Sequence, residues 1–159
     1  MTQPEAPTGK TPETVRVWLL GSFRVSVGSR IIEARQWRLR KPAALVKLLA
    51  LAPAHRLRRE QVMEMLWPKS GTSAASNNLR QALQAARRAF DPAVGSRYLA
   101  SEEDQLVLCP RCALWVDVDV FEEATATARR SRDPAAYRVA IELYAGELLP
   151  EDRYDEWAE

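Results

Sequence analysis

"SAASNNLRQALQAARRAF", residues 73–90, reads as one helix with two unlike faces. Leu79, Leu83, Ala86 and Phe90 recur at helical spacing and make an apolar stripe. Each residue advances about 100° around a helix axis, so Asn77, Gln81, Gln84 and Arg88 gather in a narrow sector opposite that stripe. Arg80 and Arg87 sit on the shoulders. No Asp or Glu occurs from residue 65 to residue 90. Such a helix buries one side and offers amides and guanidiniums on the other.

The segments before it carry the pattern of a small mixed domain. "VRVWLLGSFRVSV" (15–27) is rich in β-branched and aromatic residues and reads as two short strands meeting at a turn near Gly21; "IIEA" reads as a third. "RKPAALVKLLALAP" reads as a helix, with Pro42 in its first turn, Pro53 ending it, and Leu45, Leu48, Leu49 and Ala52 facing inward. "RREQVMEMLWP" is a shorter helix with Val62, Met63 and Leu66 inward, stopped by Pro68. "KSGTS" is a turn, with Thr72 or Ser73 as the N-cap of the long helix. After it, "RYLASEEDQLVL" reads as a hairpin with a polar tip. A short helix, a turn and a second helix with a polar outer face form a helix-turn-helix, and a hairpin placed directly after it is a wing.

The character changes near residue 115. "DVDVFEEATATARRS" and "DPAAYRVAIELYAGELL" are two helical patterns separated by a turn at 132–134, with Asp119 and Asp133 as expected N-caps. Val120, Phe121, Ala124 and Ala128 are expected to face Tyr137, Ile141 and Tyr144. "EDRYDEWAE" reads as the opening of a third helix. Paired helices of this size are the units of helical repeat arrays, which bury their faces against neighbours. The expectation is therefore a disordered leader over 1–14, a winged-helix domain over 15–114, and an incomplete helical domain over 115–159. The fold class is α+β: a winged helix-turn-helix with N-terminal strands and a C-terminal hairpin, followed by antiparallel helices of tetratricopeptide-like (TPR-like) kind.

Composition sets outer bounds. The 159 residues are 47% hydrophobic, enough to bury a core. No apolar run is long enough to span a bilayer, and the Pro-containing start has no apolar region of the secretory kind. The expectation is a cytoplasmic protein with no membrane partner. The net charge of +2 hides an asymmetry: residues 1–101 hold 17 Lys and Arg against 6 Asp and Glu, whereas residues 102–159 hold 6 against 15. A basic part suits a polyanion and an acidic part does not, although clustered solubilising charge gives the same count.

Asn and Gln can make paired hydrogen bonds to adenine, and Arg to guanine, along the edges exposed in the major groove of DNA. Gln84, Arg88, Gln81 and Asn77 are the candidate base readers, with Ala82 and Ala85 leaving room for close approach. Arg80, Arg87, Arg38, Arg40 and Lys41 are candidate phosphate contacts, which position without reading sequence. In the hairpin, Glu102, Glu103 and Asp104 would repel phosphates, leaving Arg97 as its one candidate contact. The bland reading of the same helix is that Arg87 and Arg88 answer the helix dipole at its C-terminus and that the amides are solvated.

The ordered set "VWLLGSFRVSVGSRII", "ALVKLLALAP", "RREQVMEMLWP", "SAASNNLRQALQAARRAF", "WVDVDVFEEA" and "LYAGELLP…YDEW" resembles the antibiotic-regulatory-protein type of bacterial transcriptional activator, over residues 15–157. The resemblance implies a winged helix of the response-regulator kind followed by a TPR-like activator domain. It further implies double-stranded DNA with tandem repeated sites as the ligand, possible homodimers on DNA, and recruitment of RNA polymerase, often at genes of secondary metabolism. By the same analogy the turn at 67–73, with Lys69, is a place for polymerase contact. Three departures stand out. Arg58 occupies the place where a Ser or Thr cap is usual, the hairpin tip is acidic, and "LVLCPRC" lacks the usual Gly-Tyr while adding two cysteines.

Nothing in the sequence composes a catalytic set, so no enzyme activity, cofactor or metal is expected. His55 stands in a loop and is expected to be exposed and without partners. Cys109 and Cys112 form a CxxC, which is short of the four ligands of structural zinc; it reads as a plain loop, with a chain-bridging or redox role left open. Trp18, Trp37, Trp67 and Trp115 are expected in packing rather than base stacking. Two alternatives to DNA reading remain: a protein-interaction module with a basic face, and an enzyme or metal-dependent redox sensor resting only on the CxxC.

Overall fold

The computed structural model describes residues 13–37, 40–152 and Trp157. Three strands open the chain: β1 (Val15–Trp18), β2 (Arg24–Val27) and β3 (Arg30–Ile32), an antiparallel meander with Val17 opposite Val25 and Ser26 opposite Ile31. Val15 and Val17 are fully buried and Arg16 between them is exposed, the alternation of a strand with one face on a core. A single turn of helix, α1 (Ala34–Trp37), precedes α2 (Arg40–Leu51). Then follow β4 (Arg56–Arg58), α3 (Arg59–Leu66), α4 (Thr72–Phe90) and the hairpin of β5 (Leu99–Glu102) and β6 (Gln105–Leu108). The chain continues through β7 (Leu114–Val116) into α5 (Asp117–Ser131) and α6 (Pro134–Leu143).

Two of these strands were not foreseen. β4 adds to the hairpin, so the wing is a three-stranded sheet in the order β4-β6-β5, with Arg58 opposite Gln105. β7 pairs in parallel with β1, completing a four-stranded sheet in the order β3-β2-β1-β7. The expected domain boundary at 114 and 115 thus falls inside a strand of the N-terminal sheet.

The core lies between that sheet and the helices. Val15, Val17, Leu19 and Val25 meet Leu45 and Leu49 of α2 and Leu79, Leu83 and Phe90 of α4. Phe90 is the hub at the end of α4. Its ring lies 6.1 Å from Trp37, edge-on, and 5.9 Å from Tyr98, stacked; such aromatic pairs add to the gain from burial. Its carbonyl accepts a hydrogen bond from Arg30.

The helical pair is laced to this domain rather than merely following it. Asp117, the first residue of α5, is 2% exposed. Its carboxylate accepts from the Leu19 amide (2.9 and 3.0 Å) and the Leu20 amide (2.9 Å), donors that β1 leaves without a strand partner. After α6 the chain returns to the same place: Gly21 N–H donates to the Glu147 carbonyl at 2.8 Å and Leu149 N–H to the Leu19 carbonyl at 2.8 Å. Gly21 has φ +88°, a left-handed conformation open to glycine, and a Cβ on Gly146 would stand 2.8 Å from its Cα. Lys47 of α2 and Asp152 complete the fastening with a buried ion pair of 2.6 Å.

Several local expectations are corrected. The N-cap of α4 is Gly71, whose carbonyl accepts from Ala75 N–H at 2.9 Å; Thr72 and Ser73 already lie inside the helix. Asp119 caps nothing, because α5 begins two residues earlier. Asp133 does cap α6, accepting from Ala135 N–H at 3.0 Å. Between α5 and α6, Phe121 meets Tyr144 at 5.7 Å, the start of one helix against the end of the other. Ile141, expected to pack there, is 70% exposed and Tyr137 44%; Ala128 is buried as expected, and the small Ala140 is buried in place of Ile141. Of the leader expected over 1–14, residues 1–12 lie outside the described residues, while Glu13 and Thr14 are ordered: Glu13 N–H donates to the Tyr98 hydroxyl at 3.2 Å and the Thr14 carbonyl accepts from Gly28 N–H at 2.8 Å. The third helix expected from 151 lies outside the described residues, apart from a 3-10 turn at Pro150–Asp152 and Trp157. No described helix is long and apolar enough to cross a membrane.

Candidate nucleic-acid interface

The 19-residue α4 buries Ala75, Leu79, Ala82, Leu83, Ala86, Ala89 and Phe90. That leaves Asn77, Arg80, Gln81, Gln84 and Arg88 exposed, on a face without a carboxylate. Ala85 is half-buried at the edge of that face. Ala82 is not: at 6% exposure it packs on the core, so it is not the clearance expected of it.

The other candidates divide. Arg87 is committed to the wing. Its Nε donates to the Leu99 carbonyl at 2.7 Å and a terminal nitrogen reaches Ser101 Oγ at 3.3 Å, tying α4 to β5. Burial, and to a lesser degree the nearby Arg59 cation, pull its pKa below the ordinary guanidinium value. Gly95 makes this closeness possible, since a Cβ there would overlap the Arg87 carbonyl. Lys41 is also engaged: Nζ donates to the Leu66 carbonyl at 2.7 Å, at the C-terminus of α3 where a cation is favoured, and stands 5.8 Å over Trp67. Arg40 is exposed at the start of α2, and Arg97 is half-buried in the 3-10 turn before β5. Arg38 lies outside the described residues.

The wing explains how α3 begins without a Ser or Thr cap. Arg58 N–H donates to Gln61 Oε1 at 3.0 Å, the reciprocal half of a capping box, and Arg59 N–H donates to the Asp104 carbonyl at 2.8 Å. The acidic hairpin tip is therefore held by backbone as well as charge. Arg56 of β4 reaches Gln105 at 3.0 Å and Glu102 at 3.8 Å. Glu103 turns the hairpin with φ +59°. Arg58, which the sequence reading marked only as a missing cap, and Arg59, whose charge acts on Arg87 of α4, are cations it did not name as phosphate contacts. Their only signal was their place at a helix start.

His55 is not the lone loop residue expected. It is half-buried, with Nε2 3.0 Å from Asp119 Oδ2 and Nδ1 3.2 Å from the Leu49 carbonyl, so it joins α2 to α5. Among the described residues no group of three or more His, Cys, Asp or Glu could hold a metal ion. The tryptophans pack: Trp18 meets Trp115 at 5.5 Å and Arg24 lies 4.5 Å over Trp18.

No protein-family model and no curated protein matches the chain. Among solved structures it is similar to EmbR of Mycobacterium tuberculosis, determined in complex with a low-affinity phosphopeptide. The TM-score is 0.66 at 16% identity, over 87% of this chain and 38% of that one. The chain thus spans well under half of EmbR's length, and what the two share is a fold.

Proposed function

We propose that the chain is a sequence-specific DNA-binding transcription regulator, an activator of the antibiotic-regulatory-protein kind, with α4 in the major groove. One observation carries the reading. A helix with its leucines and Phe90 fully inside presents Asn77, Gln81, Gln84 and Arg88 outward, with Arg80 beside them and no acid on the face. Amides and guanidiniums are the groups that read base edges. Arg40 is the candidate phosphate contact from α2, and Arg58 and Arg59 join it. Arg87 and Lys41 serve instead by holding α4 to the wing and α3 to α2.

In this reading residues 15–114 bind DNA, at tandem repeated sites and with a second copy of the chain beside the first. The helices from 115 onward form the start of a TPR-like part that links DNA binding to RNA polymerase. The fastening through Asp117, Leu149 and Lys47–Asp152 supports a unit that moves as one on the duplex. The experiment is selection of bound duplexes from a random pool, followed by titration of the winner at several salt concentrations. A defined, repeated site is expected, with affinity falling steeply as salt rises because phosphate contacts release counterions. Enrichment of no sequence, with a shallow salt response, would favour a protein-interaction module with a basic face.

A further inference from the structure

Cys109 and Cys112 play no part in the DNA reading, yet their setting is unlike that of two incidental cysteines. They bracket Pro110 and Arg111, the centre of a tight turn between β6 and β7. A turn of this kind brings the first and fourth Cα to within about 7 Å, and most of that range overlaps the separations a disulfide spans. Cys109 is 8% exposed and anchored, its N–H donating to the Tyr98 carbonyl at 2.8 Å. Its φ of +49° is a left-handed conformation that a cysteine adopts only when its surroundings impose it. Cys112 is half-buried and so open to solvent on one side.

The two thiols also interact with each other. A hydrogen bond between them holds Cys109 well above the ordinary thiol value, with burial and the charge of a Cys112 thiolate adding to the effect. The same bond pulls Cys112 below it, against a smaller opposing effect of its own burial. One partner is thus the better nucleophile and the more accessible, and the other is buried behind it, the division of labour of a dithiol pair. Zinc does not explain the pair, since the described residues offer no third ligand.

We propose that Cys109 and Cys112 form a redox-active dithiol that closes to an intramolecular disulfide, with Cys112 attacking and Cys109 resolving, and that the oxidant is a low-molecular-weight disulfide. The Cys112 thiolate attacks one sulfur of the small disulfide, forming a mixed disulfide and expelling one thiolate. The Cys109 thiol then loses its proton to that thiolate or to water and attacks Cys112 Sγ. The Cys109–Cys112 bond forms and the second small thiolate leaves. Two electrons pass from the protein to the small disulfide, which ends as two thiols, and an excess of small dithiol reverses the sequence. The turn is the root of the wing, joining β6 of one sheet to β7 of the other, so closing it fixes the link between them.

The test treats the purified, reduced chain with bis(2-hydroxyethyl) disulfide and follows intact mass and alkylatable thiols. The expected product is a monomer that has lost two hydrogens and both free thiols, formed through a transient adduct on Cys112. In Cys109→Ser that adduct accumulates, whereas Cys112→Ser reacts at least about tenfold more slowly under native conditions. An adduct on Cys112 that persists in the unsubstituted chain overturns the proposal, as do first attack at Cys109 and oxidation only to linked dimers. The unsubstituted chain decides the matter even if a serine variant does not fold.

Discussion

Removing the Asp117 carboxylate tests whether the helical pair is built into the N-terminal domain or only tethered to it. The carboxylate is buried and receives two amide donors, Leu19 and Leu20, at 2.9–3.0 Å. Leu19 is 0% exposed and Leu20 6%, so water cannot take over when the acceptor is lost. Hydrogen bonds to a charged group contribute about 1.5–3 kcal/mol each, so Asp117→Ala is expected to cost about 3–6 kcal/mol. Asp117→Asn keeps one oxygen, placed where Oδ2 now serves both amides, but turns an NH2 toward Leu19 N–H. About half the Ala cost is expected. Urea unfolding followed by circular dichroism measures both, provided that the slope with denaturant is unchanged. A loss below about 1 kcal/mol for the Ala variant, or equal losses for Ala and Asn, would refute the reasoning.

Three other outcomes follow from the packing. Lys47→Met leaves Asp152 buried and unpaired and is expected to cost about 3–5 kcal/mol, whereas Lys47→Met with Asp152→Leu recovers most of that loss, as paired apolar replacements of buried ions do; thermal melts of the single and double variants check it. Gly95→Ala forces the hairpin away from the Arg87 carbonyl and is expected to cost about 1–3 kcal/mol, the usual range for overpacking, read as a lowered melting temperature. Arg87→Met unties α4 from β5, so amide exchange at Leu99–Ser101 should quicken while DNA sequence preference is kept; unchanged exchange there would show that the tie is not what holds the wing.

The sequence was most legible where one face of a long element is buried. The stripe of α4 needed only helical spacing and packs as read, because many apolar contacts fix the side that faces in. The stripe of α2 is also buried, but Pro42 to Ala50 are buried on every side of that helix, which helical spacing did not foresee. β4 was invisible, since "RLR" has two exposed cations and becomes a strand only through pairing with β6. β7 was invisible for the same reason: its partner β1 lies almost a hundred residues away. Asp117 and Asp119 look alike in sequence, and only the free amides of Leu19 and Leu20 decide which one is buried. Within the site, spacing assigned the outward residues of α4 correctly to one face. It could not foresee that Arg87 and Lys41 would find carbonyl partners in β5 and α3, because those partners come from other elements. The expected inward turn of Ile141 failed because Ala128 and Ala140 bring α5 and α6 together along a different line.

The central claim is that the outward residues of α4 read bases while cations elsewhere hold phosphates. Binding of the unsubstituted chain, Gln81→Ala/Gln84→Ala/Arg88→Ala, and Arg40→Ala should be titrated against the selected duplex and a scrambled one at fixed salt. The account predicts that the α4 variant loses preference between the two duplexes, at about 1–3 kcal/mol per reading residue, and that Arg40→Ala weakens both alike. An α4 variant that still prefers the selected duplex as strongly as the unsubstituted chain would contradict it.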